Sequence, residues 1–246
     1  SAESNYMSQN FANTYFDTYN SQKIGFIRED IESKFLAHKV NDRERAMVVT
    51  SLIYAMDRIS HTCGHYDSFI RDGKYEGELI LRMPDNGYEL NVNNHVYCAD
   101  SNMIASDESV DVAYLDPPYN SRQYCDAYHL LENVARWEKP QVFGIAKKMD
   151  RTQMKSNYCK SVEAAKALRD LVLKLNSRYI LLSYNNNGKK LQCRSNAKMT
   201  DEEIIEILSL RGDVKVFTMG YRGFDAGKSE FNKDNQERIF LCSVNK

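Results

Sequence analysis

The chain of 246 residues contains no Cys-x-x-Cys pair, no Gly-x-Gly and no stretch of uninterrupted apolar sequence near the roughly 20 residues needed to span a bilayer. Each absence removes a class of protein. The six cysteines, at 63, 98, 125, 159, 193 and 242, are too widely spaced for a zinc ribbon. With no signal peptide in view they suit reduced thiols in a cytoplasmic protein rather than a disulfide framework. Cys98 and Cys242 lie in apolar runs and are expected in the core. His61 and His65 are four apart, but Gly64 would break the helix needed to align them and no acidic base lies between. No metal site is therefore expected. Neither is a membrane contact.

Charge of one sign is scarce in one part of the chain. The formal net charge is only −1, yet Ser121 to Lys198 carries sixteen Lys and Arg against six Asp and Glu, and the rest carries seventeen against twenty-eight. A basic third suits a polyanionic partner. The alternative is a solvated, lysine-rich surface. With 42% hydrophobic residues, the chain can bury a full core as one domain or a domain with a smaller attachment.

The stretch that organises the rest is Val112-Ala113-Tyr114-Leu115-Asp116-Pro117-Pro118-Tyr119-Asn120. Its continuous apolar start predicts a parallel strand buried on both faces, with Asp116 at the carboxyl end, where open α/β sheets bind ligands. Two prolines remove two backbone donors and stiffen the chain into an extended corner. A carboxylate, the Pro117 carbonyl and an aromatic ring on one rigid loop could accept two N–H bonds from a planar amine and stack against it. A proline-rich turn with a capping Asp is the plainer alternative.

Around this corner the periodicity predicts helices over 23–38, 42–60, 128–137, 161–175 and 199–210. The last is opened by a Thr200/Glu203 capping box. Strands are predicted over 79–83, 95–100, 112–115, 178–183, 214–219 and 238–244, at least five of them in an α/β sheet. Residues 1–10 are expected to fray, Pro84 to Gly87 to turn, and 138–155 to form a long basic loop. His95 to Asp100 ends on an acid, as does the strand before the corner. That acid also suits the cap of a helix starting near Ser101.

Asp116-Pro117-Pro118-Tyr119 resembles the DPPY motif of amino-methyltransferases. The run LDPPYNSRQY with YHLLENVARW is similar to bacterial N6-adenine DNA methyltransferases of the Dam-like, type II modification group, and Tyr179 to Asn186 resembles that family's next strand and SYN-type loop. The resemblance implies a partial Rossmann-like S-adenosylmethionine-dependent methyltransferase sheet over 91–246 and a mainly helical target-recognition region over 1–90. It implies a site in which Asp116, Pro117, Pro118 and Tyr119 are catalytic. Asp100 and Ser101, with Asp116, border S-adenosylmethionine, and Tyr184 and Asn185 wall the target base. Arg122, Lys147, Lys148, Arg151 and Lys155 are candidates for phosphates of double-stranded DNA, and a cytoplasmic, nucleoid-associated location follows.

The missing Gly-x-Gly then becomes informative. The family carries a Phe-x-Gly-x-Gly turn against the cofactor, and in its linear order that turn would precede residue 1. An N-terminal segment or partner chain supplying it is expected, from a truncated chain, a split enzyme or a non-catalytic DNA-binding remnant. An amino-methyltransferase acting on RNA, cytosine or a protein glutamine is the rival enzyme reading, because the corner needs only a planar amine.

Overall fold

The computed structural model describes residues 3–71, 74–85, 93–185, 197–220 and 236–245. They fall into two compact units, one of Ser1–Asn94 with Tyr124–Met154 and one of His95–Gln123 with Lys155–Lys246. A single cut near residue 90 therefore does not follow the packing, because Tyr124–Met154 sits with the first unit.

The first unit is helical: α1 Tyr6–Phe11, α2 Thr18–Leu36, α3 Asp42–Ile59, α5 Tyr124–Ala127 and α6 His129–Arg136. The expected fraying is not seen over the described residues 3–10. Asn5 and Ser8 form a capping box on α1, and Met7 and Phe11 are buried. Asp17 accepts from the Asn20 amide and so starts α2 five residues before the predicted Lys23. Asn41 and Glu44 cap α3 reciprocally. The fully buried Arg28 ties the unit together: its guanidinium donates to the Val134 carbonyl (2.9 Å) and the Ala135 carbonyl (3.3 Å) near the end of α6, and to Glu32 (2.6 Å). Glu32 also accepts from Arg45 at 2.9 Å. The charge is thus paired and the last carbonyls of a helix are satisfied.

The second unit holds a four-stranded sheet in the order β1-β2-β4-β3, formed by β1 Ser109–Leu115, β2 Asn176–Asn185, β3 Gly212–Gly220 and β4 Gln236–Val244. β1 and β2 are parallel, while β4 is antiparallel to both β2 and β3. The helices α7 Ala164–Lys174 and α8 Asp201–Ser209 pack Leu168, Val172, Ile204 and Leu208 with Ile180, Leu182, Phe240 and Cys242. The Thr200/Glu203 box caps α8 as predicted. α7 begins at Ala164, three residues late, and Val162 is exposed rather than inward.

Four expectations need correction. The sheet has four strands among the described residues, not at least five. Residues 95–100 are not a strand, because no described strand pairs with them, and Val96, Tyr97 and Cys98 are exposed. Residues 79–83 are likewise unpaired, although Leu79 is buried. Finally, among the described residues β1 is an edge strand buried on one face only: Ala113 is covered, whereas Val112 and Tyr114 are 49% and 59% exposed. The predicted turn at 84–87 lies partly outside the described residues. Asn186, Gly188 and the loop between β3 and β4 lie wholly outside them.

Candidate active site

Parallel pairing places the carboxyl ends of β1 and β2 at one edge of the sheet. Leu115 is opposite Leu182, so Asp116 follows one strand where Ser183, Tyr184 and Asn185 finish the other. The structure therefore brings the corner together with Tyr184, whereas Asn185, at the end of the same strand, is engaged with β4. The Asp116 side chain is exposed. Among the described residues no hydrogen bond or ion pair engages its carboxylate or the Pro117 carbonyl.

The rest of the corner is held firmly. The Tyr119 carbonyl accepts from the Lys198 amide at 2.9 Å and from the Tyr184 hydroxyl at 3.3 Å. The two rings meet edge to face with centroids 6.4 Å apart. Asn120 Oδ1 accepts from the Arg122 amide at 2.9 Å, and the Arg122 carbonyl accepts from Cys159 Sγ at 3.3 Å. Gln123 and Ser156 exchange two bonds, of 3.0 and 2.8 Å. Tyr119, Asn120, Arg122 and Gln123 are thus each fastened through a named bond, while among the described residues the two acceptors ahead of them have no partner.

Two predicted pocket walls turn out to be engaged. Tyr184 is 1% exposed, and its hydroxyl also accepts from the Lys198 and Met199 amides, both at 3.2 Å. Burial raises its pKa, so it stays a donor. Asn185 is buried, and its Nδ2 donates to Glu237 at 2.8 Å. Arg238, buried beneath them, donates to the Tyr184 carbonyl at 3.4 Å and pairs with Asp201. The Lys198 and Met199 amides and Arg238 were not anticipated. Arg238 left one trace in the sequence, a charge at an inward position of an alternating strand.

Asp100 caps α4 Ser101–Ile104, its Oδ1 accepting from the Asn102 amide at 2.9 Å. Asn102 in turn accepts from the Tyr158 hydroxyl (2.8 Å) and donates to the Ala167 carbonyl (2.8 Å) and Asp170 (2.9 Å), which fastens α4 to α7. Burial raises the Tyr158 pKa, and the nearby Asp100 and Asp170 carboxylates raise it further.

The basic candidates divide. Lys148 pairs with Asp67 at 2.5 Å and Arg151 with Asp126 at 2.6 Å, all within the first unit. Their charges are already spent. Lys147, in a left-handed backbone conformation with φ 50, and the exposed Lys155 and Arg122 make no side-chain ion pair among the described residues. No helix of the described residues is long and apolar enough to cross a membrane.

Comparison with known proteins gives a consistent picture. Residues 2–192 match the D12 class N6 adenine-specific DNA methyltransferases. The modification methylase StsI of Streptococcus sanguinis is 34% identical over 230 residues, which is 92% of this chain and 34% of that protein. The type II methyltransferase M.FokI of Planomicrobium okeanokoites is 32% identical over 92% of this chain and 34% of its own length. M.NlaIII of Neisseria lactamica is 30% identical over 88% of this chain and 62% of its own length. The chain thus spans about a third of the first two relatives. No solved structure matches it.

Proposed function

Because the chain belongs to the D12 class N6 adenine-specific DNA methyltransferase family, we propose that it carries the base-gripping part of a site-specific DNA adenine methyltransferase of restriction–modification type. The observation that carries this is a pair of acceptors with no partner among the described residues, the Asp116 carboxylate and the Pro117 carbonyl, at the carboxyl end of β1 on a loop otherwise fastened down.

The amino group of adenine is a poor nucleophile because its lone pair is delocalised into the ring. Two hydrogen bonds donated by that amine, to Asp116 and to Pro117, favour a tetrahedral nitrogen with a localised lone pair. A carboxylate is too weak a base to deprotonate the amine beforehand. Asp116 would orient it and stabilise the positive charge that develops on nitrogen as the N–C bond forms and the methyl group's bond to the sulfonium breaks, leaving a neutral thioether; the extra proton on the methylated nitrogen would then pass to solvent. A base reaches such a corner only by leaving the duplex, which costs a few kcal/mol. Stacking on Tyr119 returns about 1 to 3 kcal/mol. When bound, S-adenosylmethionine supplies the methyl group as a sulfonium. Asp100 and Ser101, at the start of a helix pinned to α7, fit its adenosine side, and Asp100 Oδ1 is already committed to the Asn102 amide. Arg122, Lys147 and Lys155 hold phosphates, positioning the duplex without reading its sequence. Lys148 and Arg151 would join them only by giving up Asp67 and Asp126.

The first unit, mainly helical, serves as the target-recognition region in this reading. A further segment or partner chain supplies the glycine-rich turn and covers the open side of the sheet. The apolar exposure of Val112, Tyr114, Phe217 and Ile239 supports this. Product analysis tests the function: the full-length protein containing these residues is incubated with labelled S-adenosylmethionine and duplex DNA, RNA or cytosine-only targets. N6-methyladenine in duplex DNA alone is expected. Label only in RNA or cytosine would overturn the assignment.

A further inference from the structure

We infer that Tyr184 is a positioning residue for the corner, acting through the Tyr119 carbonyl, and not a wall of the base pocket. The inference rests on the proposed function and names one further residue of its machinery. A phenolic hydroxyl has one proton to donate and two lone pairs. Tyr184 donates to the Tyr119 carbonyl (3.3 Å) and accepts from the Lys198 and Met199 amides (3.2 Å each). Its capacity is saturated, and at 1% exposure nothing of it is left for a substrate to touch. The Lys198 amide also donates to the Tyr119 carbonyl at 2.9 Å, closing a small ring of bonds between the corner and the approach to α8. The ring edge of Tyr184 meets Tyr119 at 82°. One side chain therefore fixes both the backbone and the ring of the residue that follows the two prolines, and so sets where the Pro117 carbonyl stands.

Tyr184→Phe keeps the ring and removes the hydroxyl, leaving the Met199 amide without that partner. Misplacement of a reacting geometry by about 1 Å can lower turnover about a hundredfold. A partly loosened loop is expected to lose about tenfold in kcat while KM for DNA stays within about twofold. The variant is compared in the full-length protein with wild type and with Leu208→Ala, a core change on the buried face of α8 that controls for loss of stability. Amide hydrogen exchange is followed in peptides covering Tyr119–Tyr124 and Lys198–Thr200.

Faster exchange confined to those two peptides, with reduced kcat and constant KM, supports the proposal. It is overturned if Leu208→Ala at an equal loss of melting temperature gives the same kcat, if Tyr184→Phe leaves kcat unchanged, or if it raises KM alone, as loss of a base wall would. Should wild type methylate no adenine, the proposed function fails, while unaltered exchange in the variant would separately overturn the clamp.

Discussion

The two units solve the burial problem differently. In the first, even charged and titratable groups are enclosed: Arg28 and His129 are fully buried, and Arg28 is paired to Glu32 and two carbonyls. In the second, one face of the sheet is closed by α7 and α8, while Val112, Tyr114, Phe217 and Ile239 project apolar surface from the other. Exposed apolar patches and unpaired strand edges are liabilities for a soluble fold. The first unit behaves as a finished core. The second has one finished side, and its free chemistry stands at the end of the edge strand β1.

The comparison breaks most severely if a buried partner is removed from the closed unit. Arg28→Ala is expected to destabilise the first unit by about 2 to 5 kcal/mol, because two helix-end carbonyls lose their donor and a buried side chain is emptied, while Glu32 keeps only Arg45. Denaturant unfolding measures this. Next come paired substitutions across the sheet. Leu182→Ala, on the covered face, should cost about 2 to 5 kcal/mol, whereas Val112→Thr, on the open face, should stay within about 0.5 kcal/mol in the isolated chain. A similar cost on both sides would mean that the open face is covered after all.

The fold was legible wherever local chemistry decided it. Capping residues and apolar periodicity at Asn41, Thr200 and along β2 sufficed to mark elements. Burial of β1 was misread because an apolar run reports what a strand can bury, not whether a neighbour is present. The same reason explains residues 95–100, whose strand-like sequence found no described partner. In the site, Asp116 and Pro117 were legible from covalent geometry alone: prolines make a corner and an acid supplies an acceptor. The engagement of Tyr184, Lys148 and Arg151 was not, since their partners Lys198, Asp67 and Asp126 lie 14, 81 and 25 residues away.

Acid separates the units further. Burial holds the His129 pKa at about 4, against an ordinary 6.5, with the Lys148 and Arg151 charges contributing. Its folded pKa is depressed, so the unfolded chain takes up the proton first. Stability is full above about pH 6.5 and falls progressively towards pH 4, by up to about 3 kcal/mol. Thermal melts of wild type and His129→Gln between pH 7 and 4 should converge at the acidic end. The smallest effect concerns the free cations. Lys147→Gln with Lys155→Gln should weaken binding uniformly across DNA sequences and reduce the salt slope by about two. Lys148→Gln should chiefly lower the stability of the first unit, having been paired to Asp67.

The central claim is that the free carboxylate of Asp116 grips the amine being methylated. Single-turnover methyl transfer by Asp116→Ala in the full-length protein, alongside equilibrium DNA binding, tests it most directly. Turnover is expected to fall by at least about a hundredfold with DNA affinity within about twofold. Unchanged turnover, or a loss explained entirely by weaker DNA binding, would contradict it.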